Sequence, residues 1–503
     1  MSLANRISEN GVLIVTFFLS CVALYFSFIN NYILTYNDAA SHLNIARRIF
    51  DNLTPGIAQI GTVWLPLPHL LMLPFAWNDW LWNTGFAGSV VSMGAFLGSV
   101  FFTYKTIYLV SKSWVGGIIG ALVMALNPNF LYIQTTPMTE PLLIASFIMS
   151  VYFLAKYVQN WQVQSLLISS IFVACATLIR YDGWFLYAFL TALLPIWIWK
   201  WRGIKEAESS VILFLFMGGF GIVTWVVWNW MIFGDPLYFI TGPYSAYAQQ
   251  RVLSQVGQLP TEGNIYNAVL YYFWAVVSNN GMILFFSSAL SLLIIPFFVK
   301  QKKFLILFMA AFSPILFNVI ALFVGQSAMN VPQAPTNPGM FNIRYGMMAL
   351  PFIALSLGIL ASDKWMRFLV IFVLLLQSWV FFKEGIPVSL ADGIHGREQT
   401  YYTVEASKWL RENYTGGLIL TSLASHDAFV ARTQLPMKNY IHEGTQDHWY
   451  DALHDPSEEV EYIATLSFPP DSVYKQLATN PTFLKKYKMI HSYEKFGIYK
   501  RID

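Results

Sequence analysis

The chain has 503 residues, of which 56% are apolar, 17% aromatic and 11% charged, with a formal net charge of +3. Soluble globular chains carry roughly 25% charged residues, so this one falls outside that class, and so small a net charge gives no footprint for nucleic acid. What remains is a polytopic α-helical membrane protein.

A membrane-crossing helix needs about 20 largely apolar residues. In chain order, about 11 stretches qualify: 11–31, 85–110, 114–133, 141–158, 163–180, 184–200, 210–232, 268–298, 304–325, 344–361 and 367–383. The first lacks a small-residue cleavage site and reads as a membrane helix, not a signal peptide. Directly behind it stands "TYNDAASHLNIARRIF" at 35–50. Asn37 or Asp38 suits a helix cap. Ala39, Leu43, Ala46 and Phe50 then share one face, and Ser41, Asn44, Arg47 and Asp51 the other. This predicts an amphipathic helix in the membrane interface, with Arg47, Arg48 and Asp51 as its solvated side. "VWLPLPHLLMLPF" at 63–75 carries Pro66, Pro68 and Pro74 and reads as interfacial or re-entrant. Cys21 and Cys175 lie in apolar runs and read as packing residues.

With the N-terminus cytoplasmic, the inner loops hold Arg6, Lys105, Lys112, Lys156, Lys200, Arg202, Lys205, Lys300, Lys302, Lys303, Lys364 and Arg367. The outer loops hold few cations, which is the positive-inside bias, and an odd number of spans leaves the C-terminus outside. Composition changes after Phe382, giving a transmembrane domain at 1–384 and a small extracytoplasmic α/β domain at 385–503. In the latter, "VEASKWLREN", "HDAFVART" and "SVYKQLATN" read as helices. "LILTS" and "EYIATL" read as strands, and "YKMIHSYEKFGIYKR" as a terminal hairpin.

The outer loops also collect Asp38, His42, Glu140, Arg180, Asp182, Asp235 and Arg344, with two long segments at 234–267 and 326–343. Long loops bearing acids are where a site is built. Each residue has a plainer alternative. Asp38 and His42, one turn apart, are site residues or a cap and its neighbour. Glu140, in "QTTPMTEPLLI", is a site acid or a first-turn carboxylate favouring a helix N-terminus beside Pro141. Arg180, in "LIRYDGWF", meets a ligand or pairs with Asp182. Arg344, in "MFNIRYGMMALP", offers a fork suited to phosphate or snorkels to lipid headgroups.

Together these motifs resemble the GT-C glycosyltransferases, multi-span enzymes that use polyprenyl-phosphate-linked sugars and include protein O-mannosyltransferases and aminoarabinose transferases. "NDAASH" resembles their acid-bearing first outer loop, although Asn37 stands where the mannosyltransferases carry a second acid. "TEPLL" resembles their second acidic position, and "NIRYGMMALP" their late arginine segment. "WNWMIFGDPLYFITGPYSA" and "SLASHDAFVARTQLPMKNYIHEGT" resemble a bacterial and archaeal branch. The resemblance covers about 1–385. It implies a hexose or pentose on a polyprenyl phosphate as donor, a glycan, lipid or protein as acceptor, and inversion by single displacement. Asp38 would be the general base, and Glu140 a second catalytic acid that positions substrate or assists a metal. Arg344 and Arg180 would hold the donor phosphate, and His42, Asp182 and Tyr345 would contact substrate. A divalent metal stays open: Asp38, His42, Glu140, His426, His442 and His448 are suitable ligands without a ligand spacing.

Three other readings compete, one of them a non-catalytic lipid-binding scaffold. A secondary transporter would place ionisable residues at the midplane of internal repeats, and no repeat is visible. An oligosaccharyltransferase of the same fold would carry a Trp-Trp-Asp motif, which "DHWYDAL" at 447–453 lacks.

Overall fold

The computed structural model describes residues 3–299, 301–336, 338–467 and 471–502; Lys300, one of the cations used for sidedness, lies outside them. The chain divides into two compact units, Met1–Tyr32 with Thr62–Pro68 and Ser89–Asp392, and Ile33–Gly61 with His69–Gly88 and Gly393–Asp503. The second unit is therefore not a contiguous tail. It takes in two N-terminal segments that composition alone assigns to the transmembrane part.

All eleven expected apolar stretches are helical, but they differ in kind. Eight helices among the described residues are long and apolar enough to cross a membrane: Ile7–Ile29, Phe86–Ser111, Glu140–Asn160, Tyr181–Arg202, Ile204–Phe233, Lys302–Phe323, Ile343–Leu360 and Lys364–Gln399. A ninth is a pair, Ile265–Asn280 and Met282–Phe298, bent by 112° at Gly281. The other two, Trp114–Ala125 and Val163–Thr177, are shorter. Expected stretch 114–133 stops early because Asn127 caps a new helix, its side-chain oxygen accepting the Phe130 N–H, with Pro128 at the first position. Pro-rich 63–75 yields only the ten-residue helix Leu67–Ala76.

The first unit is a helix bundle with a strongly apolar outer surface. Trp365, Phe368, Phe372, Leu375 and Phe382 on the last long helix are all exposed, as lipid-facing side chains are. Inside, small residues set helix spacing. A Cβ on Gly120 would lie 3.0 Å from the Ala354 carbonyl, and one on Gly358 3.0 Å from the Gly116 carbonyl, so Trp114–Ala125 and Leu350–Leu360 pack backbone to backbone. Cys21 and Cys175 are free thiols.

The second unit is built on a five-stranded sheet of order β2-β1-β3-β5-β4. β1 (Leu418–Leu420) lies parallel to β2 (Tyr440–Ile441) and β3 (Val460–Leu466). β5 (Phe496–Arg501) is antiparallel to β3 and to β4 (Tyr487–Tyr493). The two strands, the hairpin and the three helices expected of this region are present; the two-residue strand β2 was not foreseen. Leu420, Ile441, Val460, Ile463, Val473 and Leu477 form the core on one side.

Helix Asn37–Arg47 forms where expected, but its surroundings differ from a membrane interface. Ala40 packs with Ala428 and Ala431 of helix Leu423–Thr433. The face expected to be solvated is buried as well. Arg47 is bonded to Asp51 (2.8 Å), to Asp79 (2.6 Å) and to the Ala76 carbonyl (2.9 Å). Asp51 accepts the Met437 and Lys438 N–H groups, each at 3.2 Å. Asn44 donates to the Asp427 carbonyl at 2.9 Å and to its carboxylate. The polar side of this helix is the seam on which the C-terminal chain folds, so its charges meet protein instead of water.

Candidate active site

Five of the predicted residues converge in the first unit. Glu140 opens helix Glu140–Asn160, with Pro141 behind it. Its side chain is 0% exposed, and Oε1 accepts from Arg344 Nε at 3.0 Å and Arg180 Nη1 at 3.3 Å. Arg180, just ahead of helix Tyr181–Arg202, also reaches Asp182 Oδ2 (3.2 Å) and Thr139 Oγ1 (3.3 Å). Arg344 sits in a 3-10 stretch, Ile343–Ala349, that runs into helix Leu350–Leu360. Its Nη1 lies 4.0 Å from Asp392 Oδ2. The ring of Tyr345 joins the two cations, with the Arg180 guanidinium 4.7 Å and the Arg344 guanidinium 5.1 Å from its centroid.

The plainer alternative is met for both Arg180 and Glu140. Arg180 does pair with Asp182, and Glu140 does occupy a helix N-terminus, where the dipole favours a carboxylate. Neither fact accounts for two guanidinium groups on one buried carboxylate oxygen. Arg344 is 3% exposed, so it is no headgroup anchor. Two guanidiniums face three carboxylates (Glu140, Asp182 and Asp392), so the arginines are compensated within the protein. Glu140 Oε2 and Asp182 Oδ1 are buried and accept no hydrogen bond among the described residues. Asp182 also borders a cavity otherwise lined by apolar groups, among them Leu143, Phe147, Pro314 and Met348.

Asp38 and His42 belong to the second unit. The residue at the cap position of their helix is Tyr36, and it makes no side-chain cap hydrogen bond, so neither Asn37 nor Asp38 is the cap. Asp38 stands in the first turn, half-buried. His42 is buried, and its Nδ1 shares a 2.9 Å hydrogen bond with Nε2 of His69. Asp427 is a nearby acid. Burial pushes its carboxyl above the usual range, against hydrogen bonds from Asn44 and Ser41 and the attraction of Arg48, and the charge of Asp38 pushes the same way. Among the described residues no group of three or more His, Cys, Asp or Glu side chains is placed to hold a metal ion.

Sequence reasoning did not single out Asp392, His69 or Asp427. Asp427 lies within the quoted "SLASHDAF", and His69 is a lone polar residue in "LPHLLML", a signal that went unused. Asp392, in "LADGIHG", carries no signal that separates it from a loop acid.

No protein-family model matches the chain, and no curated protein matches it in sequence. Its fold does match solved structures. ArnT from Cupriavidus metallidurans, bound to undecaprenyl phosphate, is similar over 96% of this chain and 97% of its own, with a TM-score of 0.58 at 11% identity. The Archaeoglobus fulgidus oligosaccharyltransferase, tethered with an acceptor peptide, is similar over 98% of this chain and 74% of its own, with a TM-score of 0.53 at 12% identity. At such identities the likeness is one of fold alone.

Proposed function

We propose that the protein is a membrane glycosyltransferase that moves a hexose or pentose from a polyprenyl phosphate to an extracytoplasmic acceptor. The observation that carries this reading is the pair of half-buried Arg180 and buried Arg344, locked on Glu140 and stacked over Tyr345 in a bundle of apolar helices. An always-charged fork suits a phosphate, and a lipid-borne one meets it where apolar helices reach the bilayer. The resemblance of "NDAASH" and "NIRYGMMALP" to GT-C motifs, and the shared fold, support the same chemistry.

In this reading Asp38 takes the proton of an acceptor hydroxyl. The acceptor oxygen bonds to the anomeric carbon while the bond from that carbon to the phosphate oxygen breaks. Polyprenyl phosphate leaves with the bonding pair, and its growing charge is met by Arg344 and Arg180. One displacement inverts the anomeric centre. Glu140 organises the two arginines, and His42, Asp182 and Tyr345 contact substrate. The N-terminus is cytoplasmic and the C-terminal domain extracytoplasmic, so reporter fusions at Lys302 and Gly416 should report opposite sides; the same side would overturn that orientation.

The test is purified enzyme with a panel of undecaprenyl-phosphate-linked hexoses and pentoses. Release of undecaprenyl phosphate dependent on one of them is expected. Release of none, with passage of a solute across sealed vesicles carrying the protein, would favour a transporter.

A further inference from the structure

The bent span at Gly281 breaks a helix inside an apolar bundle, where unsatisfied backbone groups cost several kcal/mol each. The structure meets that cost with side chains. Gln377 Oε1 accepts the Ile283 N–H at 3.1 Å on one side of the break. On the other, Asn127 and Asn129 each donate to the Asn279 carbonyl at 3.0 Å. Asn129 is held in turn by Ser389, whose hydroxyl donates to its side-chain oxygen at 2.8 Å. So dense a set of supports points to a purpose for the break.

The helix that ends at the break, Ile265–Asn280, also holds a second segment. Three of its side chains donate to three carbonyls of the segment that carries Arg344. Asn279 Nδ2 reaches the Ile343 carbonyl at 2.6 Å, Asn280 Nδ2 the Gly346 carbonyl at 2.9 Å, and Tyr272 Oη the Tyr345 carbonyl at 3.3 Å. The two backbones also touch: a Cβ on Gly346 would collide with the Ala275 carbonyl, so only glycine fits there. The segment is a 3-10 stretch entered at Asn342, whose φ is +55°. A 3-10 run of seven residues is long for that conformation, and it needs outside support.

We infer that Tyr272, Asn279 and Asn280 are positioning residues that clamp the 3-10 segment Ile343–Ala349 and so hold Arg344 on Glu140 and Tyr345 beneath the two guanidiniums. The consequence for phosphate binding rests on the role proposed above for Arg344. The clamp itself does not.

The experiment uses the full-length protein in nanodiscs with Asn279→Ala and Asn280→Ala. Hydrogen exchange over 343–349 and affinity for undecaprenyl phosphate are both measured, in wild-type and Arg344→Ala backgrounds. Faster exchange over 343–349 is expected, with helix Glu140–Asn160 unchanged. Each lost bond should weaken undecaprenyl phosphate binding about fivefold, and that loss should vanish once Arg344 is alanine. Unchanged exchange over 343–349 would overturn the clamp, and a fivefold loss that persists without Arg344 would overturn its action through Arg344. If exchange rises while Arg344→Ala binds undecaprenyl phosphate like wild type, the clamp stands and the phosphate role of Arg344 fails. Should the asparagine variants not fold, Tyr272→Phe removes a single hydroxyl and is read by the same exchange.

Discussion

Glu140 gives the sharpest prediction on the buried cluster. Its carboxylate has no exposure and holds Arg344 at 3.0 Å and Arg180 at 3.3 Å through one oxygen. Removing one member of a buried ion pair costs about 3–5 kcal/mol, because the partner is left charged and dry. Glu140→Ala leaves two such partners, of which Arg180 keeps Asp182 and Arg344 keeps the longer 4.0 Å approach to Asp392. The expected loss is therefore about 3–5 kcal/mol, not twice that, by equilibrium unfolding in mixed micelles. Glu140→Gln retains an acceptor at Oε1 and should lose roughly half as much, in the range of about 1.5–3 kcal/mol for a hydrogen bond to a charged group. Adding Arg344→Met to Glu140→Ala should recover part of the loss, since it removes an uncompensated charge. Glu140→Ala unfolding within about 1 kcal/mol of wild type would refute the reasoning, as would a strictly additive double variant.

Other outcomes follow from the same geometry. Arg344→Lys keeps the charge but loses the fork and the stacking, so affinity for undecaprenyl phosphate should fall; a wild-type value would make Arg344 a structural residue only. His442 in the second unit is fully buried, and burial together with the Arg48 charge lowers its pKa from 6.5 to about 3. A lowered histidine leaves stability intact above 6.5 and removes it as pH falls from there towards 3, about 2 kcal/mol by pH 5. His442→Gln should flatten that decline, and an unchanged slope would contradict the assignment. Deleting 393–503 strips Asn44 of Asp427 and Asp51 of the Met437 and Lys438 N–H groups, so it should destabilise Ile33–Gly61 against proteolysis; equal protease resistance of that segment would argue against the seam.

Much of this architecture is legible in the sequence, because apolar length and turn chemistry are local. Each of the eleven apolar stretches is helical, and strands β1, β3, β4 and β5 lie where short apolar runs and the hairpin motif put them. What failed is what depends on distant chain. Arg47 and Asp51 read as solvated because a helical wheel shows polarity, not what covers it; here Ala76 and Asp79 meet Arg47, and Met437 and Lys438 meet Asp51. The Gly281 break falls at Ser278-Asn279-Asn280-Gly281, a polar interruption of a stretch otherwise apolar enough to read as one span, and distant side chains, Gln377 on one side and Asn127 and Asn129 on the other, make it tolerable. The arginine cluster was half legible: Glu140, Arg180, Asp182, Arg344 and Tyr345 were named, but their mutual compensation and Asp392 were not.

The most direct test of the proposed function is turnover by Asp38→Asn in purified enzyme, supplied with an undecaprenyl-phosphate-linked sugar that wild type uses. Asparagine keeps the shape but takes no proton at neutral pH, and Asp38 is not the cap of its helix, so folding should be preserved. General-base catalysis contributes about 10²–10⁴-fold, and a turnover loss of that size with donor affinity retained is the predicted result. Near-normal turnover by Asp38→Asn would contradict it and move the base elsewhere.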